Sequence, residues 1–129
     1  MASILLIETE TALRQSIARM LIAEGHAVRE ARDGREGLRF LAAQRFDLIL
    51  TDIVMPYADG IEVIAANRRL SPPAKLIAMH AGCGLGPDYL KAAIALGADH
   101  ALKKPFRRAD LQTAIAACLA ENTPTRRYA

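Results

Sequence analysis

The sequence is poor in aromatic residues and cysteine, and it contains no long apolar run. Aromatic side chains make up 5% of its 129 residues while 52% are hydrophobic, so any core must be aliphatic, built from Leu, Ile, Val and Ala. The two cysteines, Cys83 and Cys118, are too few for a disulfide framework and are not spaced as metal ligands. Free thiols in a reducing compartment are the natural reading. The N-terminus runs straight into SILLIE, without the basic segment and apolar stretch of a secretory signal, and no run approaches the length of a membrane-spanning helix. A soluble, cytoplasmic protein with no membrane partner is therefore expected. Blocks of like charge are missing too. The formal charge is +3 and the pI about 9.1, but the basic residues are scattered. That distribution suits a solvated basic surface that favours acidic partners, and no nucleic acid is expected.

What is present is enough apolar material for one independently folded domain. We expect it to cover residues 1–121, followed by a short frayed tail at 122–129. Apolar, β-prone runs lie at 3–7 (SILLI), 46–51 (FDLILT) and 75–79 (KLIAM), with weaker candidates at 26–30 (HAVRE) and 99–103 (DHALK). The strong runs are nearly continuous rather than alternating, as in strands buried on both faces of a parallel sheet. Helix-period segments lie between them, at 11–24, 34–44, 60–70, 88–96 and 108–120. The first places Leu13, Ile17, Met20 and Leu21 on one side, with Arg14 and Arg19 elsewhere. Asp33 is a predicted N-cap for the second, Ser71-Pro72-Pro73 stops the third, and Gly97 closes the fourth, which carries Leu90, Ala93, Ile94 and Leu96. A βα unit repeated five times predicts an open α/β sheet covered by helices.

In such sheets, chemistry collects at the carboxyl ends of the strands. There the sequence offers Glu8-Thr9-Glu10, Asp52, His80 and Lys103-Lys104-Pro105. Two carboxylates at adjacent strand ends repel when both are ionised, and a hard cation such as Mg²⁺ relieves the repulsion. A nearby lysine adds a positive charge suited to a phosphoryl group. Asp52 is then a metal ligand, a nucleophile or both, and formation of an aspartyl phosphate needs this set of parts.

The segments DLILTDIVMPYADGIEVI, EARDGREGLRFL and GADHALKKPF resemble the receiver domain of bacterial response regulators in two-component signalling. The acid-x-x-Met-Pro-x-x-x-Gly pattern from Asp52 to Gly60, together with Lys104-Pro105 and the βα order, carries the resemblance over residues 3–120. It implies an α/β, flavodoxin-like (βα)5 three-layer sandwich with a five-stranded parallel sheet of order 2-1-3-4-5. It implies that Asp52 accepts a phosphoryl group from a phosphohistidine on a histidine kinase or histidine phosphotransfer protein, and that Lys104 holds a phosphoryl oxygen. Mg²⁺ would be held by Glu8, Asp52 and the backbone carbonyl of Val54. The Lys104-Pro105 bond would be cis, aiming the lysine inward, and Met55-Pro56 and Gly60 would shape the loop after Asp52. The chain would act as a stand-alone phosphoacceptor read out by an unknown downstream protein, through the face built from the fourth and fifth strands and their helices, rather than as an enzyme.

Three positions depart from the pattern. Receivers usually end the first strand with two acids; here the pair is Glu8-Thr9. Thr9 serves either as an N-cap or as a weak ligand, and Glu10 either helps at the metal or points away as a solvated helix-start acid. A lost charge-assisted contact, about 1.5–3 kcal/mol, weakens a metal roughly ten- to a hundred-fold. His80 stands at a switch position usually held by Ser or Thr, either donating a hydrogen bond or turned to solvent. Ala101 replaces an aromatic that usually changes rotamer, which leaves any conformational response to the loop AGCGLGP at 81–87. The glycine spacing there is not that of a P-loop or dinucleotide fingerprint. These departures motivate an alternative: a pseudo-receiver that works as a protein-interaction module without phosphate or metal. A small phosphohydrolase lacks its expected acid, since Val54 sits two residues after Asp52.

Overall fold

A computed structural model of the chain describes residues 1–55, 57–81 and 88–120. The expected loop at 82–87, Pro56 and the tail from residue 121 onward lie outside the described residues. Within them, strands and helices alternate: β1 (Ser3–Ile7), α1 (Thr11–Ala23), β2 (Ala27–Ala31), α2 (Gly34–Ala43), β3 (Leu48–Asp52), α3 (Gly60–Arg68), β4 (Lys75–His80), α4 (Tyr89–Leu96), β5 (His100–Lys103) and α5 (Arg108–Ala120). The strands form one parallel sheet in the order β2-β1-β3-β4-β5. This is the flavodoxin-like architecture the resemblance implied.

The apolar runs are continuous because both faces of the sheet are covered. Side chains alternate along each strand. Ile4, Leu6, Leu48, Leu50, Ile77 and Met79 pack against Ile17 and Leu21 of α1 and Leu111 and Ile115 of α5. Their neighbours Leu5, Ile7, Ile49, Leu76 and Ala78 face the other way, against Leu41 of α2, Val63 and Ile64 of α3 and Ala93 of α4. Each fully buried Leu or Ile contributes about 1.5–3 kcal/mol, so the central strands β1, β3 and β4 form a rigid platform.

Helix starts follow local chemistry. Asp33, Asp59 and Asp88 each accept a hydrogen bond from the backbone N–H three residues on, capping α2, α3 and α4. The cap expected at Thr9 is corrected. The N-cap of α1 is Glu10, with no side-chain cap bond, and Thr9 lies one residue too early. The apolar residues expected on α4 do not all reach the core either. Only Ala93 is buried, while Ile94 and Leu96 are each 46% exposed, because a helix of 8 residues over the β4–β5 edge turns a single stripe inward.

Candidate functional site

The register of the sheet assembles the site. β1 and β3 pair with Ile7 opposite Thr51, so the next residues, Glu8 and Asp52, stand side by side at adjacent strand ends. Lys104 follows β5, where its N–H donates to the carbonyl of His80 at the end of β4 and its bond to Pro105 is cis. The Lys104 ammonium lies 2.5 Å from Glu8 Oε1 and 2.5 Å from Asp52 Oδ1. Residues 96 positions apart in the chain thus meet in one ion-paired cluster. The cluster is hardly wetted: Glu8 is 1% and Asp52 5% exposed.

Burial sets the electrostatics. Desolvation pushes the Asp52 pKa up, and the adjacent Glu8 carboxylate adds to the rise. Lys104 opposes both, and the value settles at about 7. Glu8 goes the other way. Burial pushes it up, but hydrogen bonding with Asp52, with Lys104 and with the Glu10 N–H prevails and holds it below the ordinary value. Burial likewise lowers Lys104, and its hydrogen bonds to Asp52 and Glu8 outweigh that and raise it. The two acids therefore titrate as a pair, with the rise falling on Asp52.

The flanking residues fall into place around this cluster. The Thr9 N–H points at Asp52 Oδ2, 3.4 Å away, and the Glu10 N–H donates to Glu8 Oε2 at 3.0 Å. The Glu10 residue is exposed, as expected of a solvated acid. Val54 lies in the loop after β3 with its side chain turned out, 56% exposed. Gly60 is required where it stands: a Cβ there would lie 2.3 Å from the Asp52 carbonyl oxygen, so only glycine lets α3 start this close to the acid. In the same loop Tyr57 adopts φ 73°, with the Arg35 guanidinium 4.2 Å over its ring. His80 is half-buried, and its ring stands edge-on to Tyr89 at a centroid distance of 5.0 Å. Ala101, half-buried in β5, lines a shallow depression of about 400 Å³ shared with Leu102, Phe106 and Ala114.

Sequence reasoning missed Arg14. Set apart from the apolar side of α1, it is in fact buried, 7% exposed, with Nη1 donating to the Glu8 carbonyl at 2.9 Å. Its spacing of four and seven residues from the buried Ala18 and Leu21 was the available signal. The contact between His80 and Tyr89 was missed as well, since nothing local joins the end of β4 to the start of α4.

The donor set fits a hard divalent cation. Two carboxylates and a backbone carbonyl are oxygen ligands of the kind Mg²⁺ takes; burial chiefly raises the Asp52 pKa, and the Glu8 carboxylate beside it adds a like-charge conflict that a cation relieves. Among the described residues, no group of three or more His, Cys, Asp or Glu side chains is placed to hold a metal. Most positions on the ion would fall to water, as is common for Mg²⁺.

Comparison with known proteins agrees with this fold. The response regulator receiver domain family matches residues 4–116. Response regulator MprA of Mycolicibacterium vanbaalenii is 33% identical over 121 residues, covering 94% of this chain and 52% of that protein. MprA of Mycobacterium leprae is 32% identical over the same shares. The chain therefore spans about half the length of these curated relatives. Among solved structures, the chemotaxis response regulator CheY4 of Vibrio cholerae aligns with a TM-score of 0.82 at 30% identity, over 92% of this chain and 99% of that one. The CheY-like receiver domain protein of Methanospirillum hungatei JF-1 aligns with a TM-score of 0.83 at 31% identity, over 92% and 94%. By family match, by relatives and by fold, this chain belongs to the response regulator receiver domains of two-component signalling.

Proposed function

We propose that this chain accepts a phosphoryl group on Asp52 from a phosphohistidine of a histidine kinase or histidine phosphotransfer protein, and passes the signal on by protein contact. The observation that carries the reading is the convergence of Glu8, Asp52 and Lys104 from three separate strand ends. An ionised Asp52 oxygen attacks phosphorus, the P–N bond to the donor imidazole breaks, and the leaving nitrogen keeps the electron pair and takes up a proton. Lys104 gives up its contact with Asp52 to hold an oxygen of the incoming group, where a fixed ammonium stabilises the charge. Glu8 stays as the acid that keeps the ammonium in place. The Thr9 N–H, already aimed at Asp52, is a second donor on that side.

Receiver domains generally bind Mg²⁺ for phosphorylation. Here Glu8, Asp52 and the Val54 carbonyl would hold it, and when bound it supplies charge neutralisation on the phosphoryl oxygens. Proton and cation compete for Asp52, because its pKa of about 7 keeps much of it protonated at neutral pH. The chain is a phosphoacceptor working in the cytoplasm, not an enzyme with its own substrate. Its readout surface would be α4 and β5, where Tyr89, Ile94 and Leu96 are exposed.

One observation favours the pseudo-receiver as a second reading: the Lys104 ammonium already contacts both carboxylates, so the cluster is satisfied without a cation. Incubation with a small phosphodonor and Mg²⁺ separates the two. We expect a hydroxylamine-sensitive mass increase that Asp52→Asn abolishes. No modification at any Mg²⁺ concentration would leave the pseudo-receiver standing.

A further inference from the structure

Arg14 is buried on the inward stripe of α1, in line with Ala18 and Leu21. A guanidinium is costly to bury, so its partners show what holds it there. Nη1 donates to the Glu8 carbonyl at 2.9 Å, in a bond closed to solvent, and Nε lies 3.2 Å from Glu30 Oε1 on β2. The Glu8 N–H in turn donates to the Ala31 carbonyl at the end of β2, at 3.1 Å. Both backbone polar groups of Glu8 are thus fastened, one by the neighbouring strand and one by Arg14. The guanidinium continues the hydrogen bonding of β1 past its last paired residue and ties the β1–α1 corner to β2.

The corner matters because its chemistry rests on one side chain. Thr9 brings no carboxylate, so Glu8 is the acid that β1 sets against Lys104 and Asp52. Glutamate has one more rotatable bond than aspartate and needs more restraint to aim a carboxylate. Its Oε2 is held by the Glu10 N–H at 3.0 Å, but that bond keeps its geometry only while the Glu8 and Glu10 backbones stay fixed relative to each other. Arg14 spans this segment, since its own N–H donates to the Glu10 carbonyl at 2.9 Å while its guanidinium holds the Glu8 carbonyl.

We propose that Arg14 is a positioning residue that aims the Glu8 carboxylate at Lys104 and at the cation shared with Asp52. The cation part rests on the phosphoacceptor reading above; the aiming of Glu8 does not. The test uses Arg14→Met, which keeps length and loses the guanidinium, Arg14→Lys, which keeps charge and loses the fork, and Glu30→Gln, which keeps Arg14 and weakens its anchor. Amide hydrogen exchange is read at Glu10, with Ile49 and Leu50 in the central strand as the gauge of global stability, and Mg²⁺ affinity is read by titration. Arg14→Met should speed exchange at Glu10 about tenfold beyond any change at Ile49 and Leu50, and weaken Mg²⁺ about tenfold, with Arg14→Lys recovering part of both. Exchange at Glu10 rising only in step with Ile49 and Leu50 would overturn the proposal, as a merely structural arginine behaves that way. Mg²⁺ affinity unchanged within twofold in a wild type that binds it would overturn it too. If the wild type binds no Mg²⁺, the phosphoacceptor reading fails and exchange at Glu10 alone decides the role of Arg14. Should Arg14→Met not fold, the same comparison is made with Arg14→Lys and Glu30→Gln.

Discussion

The carboxyl rim of the sheet has two unlike halves. At the acid corner, Glu8 and Asp52 are almost sealed from solvent and share one ammonium. Among the described residues, no buried side-chain nitrogen or oxygen lacks a partner. At the α4 flank, by contrast, α4 buries only Ala93, Tyr89 and Leu96 face outward, and β5 is at most half-buried along its length. The difference follows from what each half carries. A buried charge left unpaired costs several kcal/mol, so every member of the corner fixes the others. The flank carries aromatic and aliphatic contacts worth about 1 kcal/mol each, so residues there exchange with little penalty to the fold. Of the three departures from the usual receiver pattern, Thr9 and His80 stand at this rim and Ala101 lies inside β5, paired with Ala78. His80 and Ala101 both belong to the tolerant β4–β5 side.

The largest expected effect breaks the corner itself. Lys104→Met leaves two buried carboxylates facing each other, and should destabilise the cation-free domain by about 3–5 kcal/mol at pH 8 in urea unfolding. The loss should shrink toward pH 5, where Asp52 takes up a proton and the repulsion disappears. An unfolding midpoint at pH 8 that does not move would mean that the ammonium does not hold the acids together.

Next comes the pH dependence of the wild type. Folded Asp52 keeps its proton up to a pKa of about 7, whereas an unfolded aspartate releases it near about 3.9. Between these values the folded state holds more protons, so raising the pH removes stability. Without divalent cation, the domain should lose on the order of 2 kcal/mol between pH 5 and pH 8 from this source, and Asp52→Asn should abolish the slope. Millimolar Mg²⁺ should flatten it too, because the cation replaces the proton. Glu8 acts outside this window: its lowered pKa gives stability present above its ordinary value of 4.5 and lost as pH falls below it.

A gain of function sharpens the contrast. Thr9→Asp adds an acid next to Glu8 in the chain, at the residue whose backbone N–H faces Asp52. Mg²⁺ affinity should rise about ten- to a hundred-fold, the worth of one charge-assisted contact. The cation-free variant should be less stable at pH 8, with a third negative charge in the corner. Calorimetric titration reads the first effect and unfolding the second.

Much of this molecule could be read from its sequence, and the failures have physical causes. Continuous apolar runs identified the doubly covered sheet, and the aspartate before Gly34 identified the cap of α2. Strand starts were placed too early at Phe46 and Asp99. In both places an aspartate side chain takes a neighbouring strand's amide instead of extending the ladder: Asp47 accepts from the Ser3 N–H and Asp99 from the Leu76 N–H. Strand ends, where the acids lie, were legible because an ionisable side chain interrupts an apolar run. The partner of Asp52 was not legible by spacing, since Lys104 is tied to it only by the fold; family resemblance supplied it. Arg14 escaped because its spacing from Ala18 and Leu21 was outweighed by its charge, and its partners, a backbone carbonyl and Glu30 on another strand, are joined to it only by the fold.

The smallest expected effect tests whether the two halves are independent. His80 belongs to both by position: its carbonyl accepts the Lys104 N–H, while its ring lies edge-on to Tyr89. The carbonyl survives any substitution of the side chain, so the backbone link to the corner is constant and only the ring contact changes. Tyr89→Ala should therefore cost about 0.5–1.5 kcal/mol, the worth of an aromatic pair. His80→Ala should cost a similar amount, and the rate of Asp52 phosphorylation should stay within about threefold of wild type, a difference below ~1 kcal/mol. Amide chemical shifts should move along α4 in both variants and stay put at Glu8 and Asp52. A thirtyfold loss of phosphorylation in His80→Ala with no loss in Tyr89→Ala would place the imidazole at the phosphoryl group and join the halves. An equal loss in both variants would instead make the ring pair a support for the Lys104 backbone, with the corner tightly bound to a flank that otherwise tolerates change.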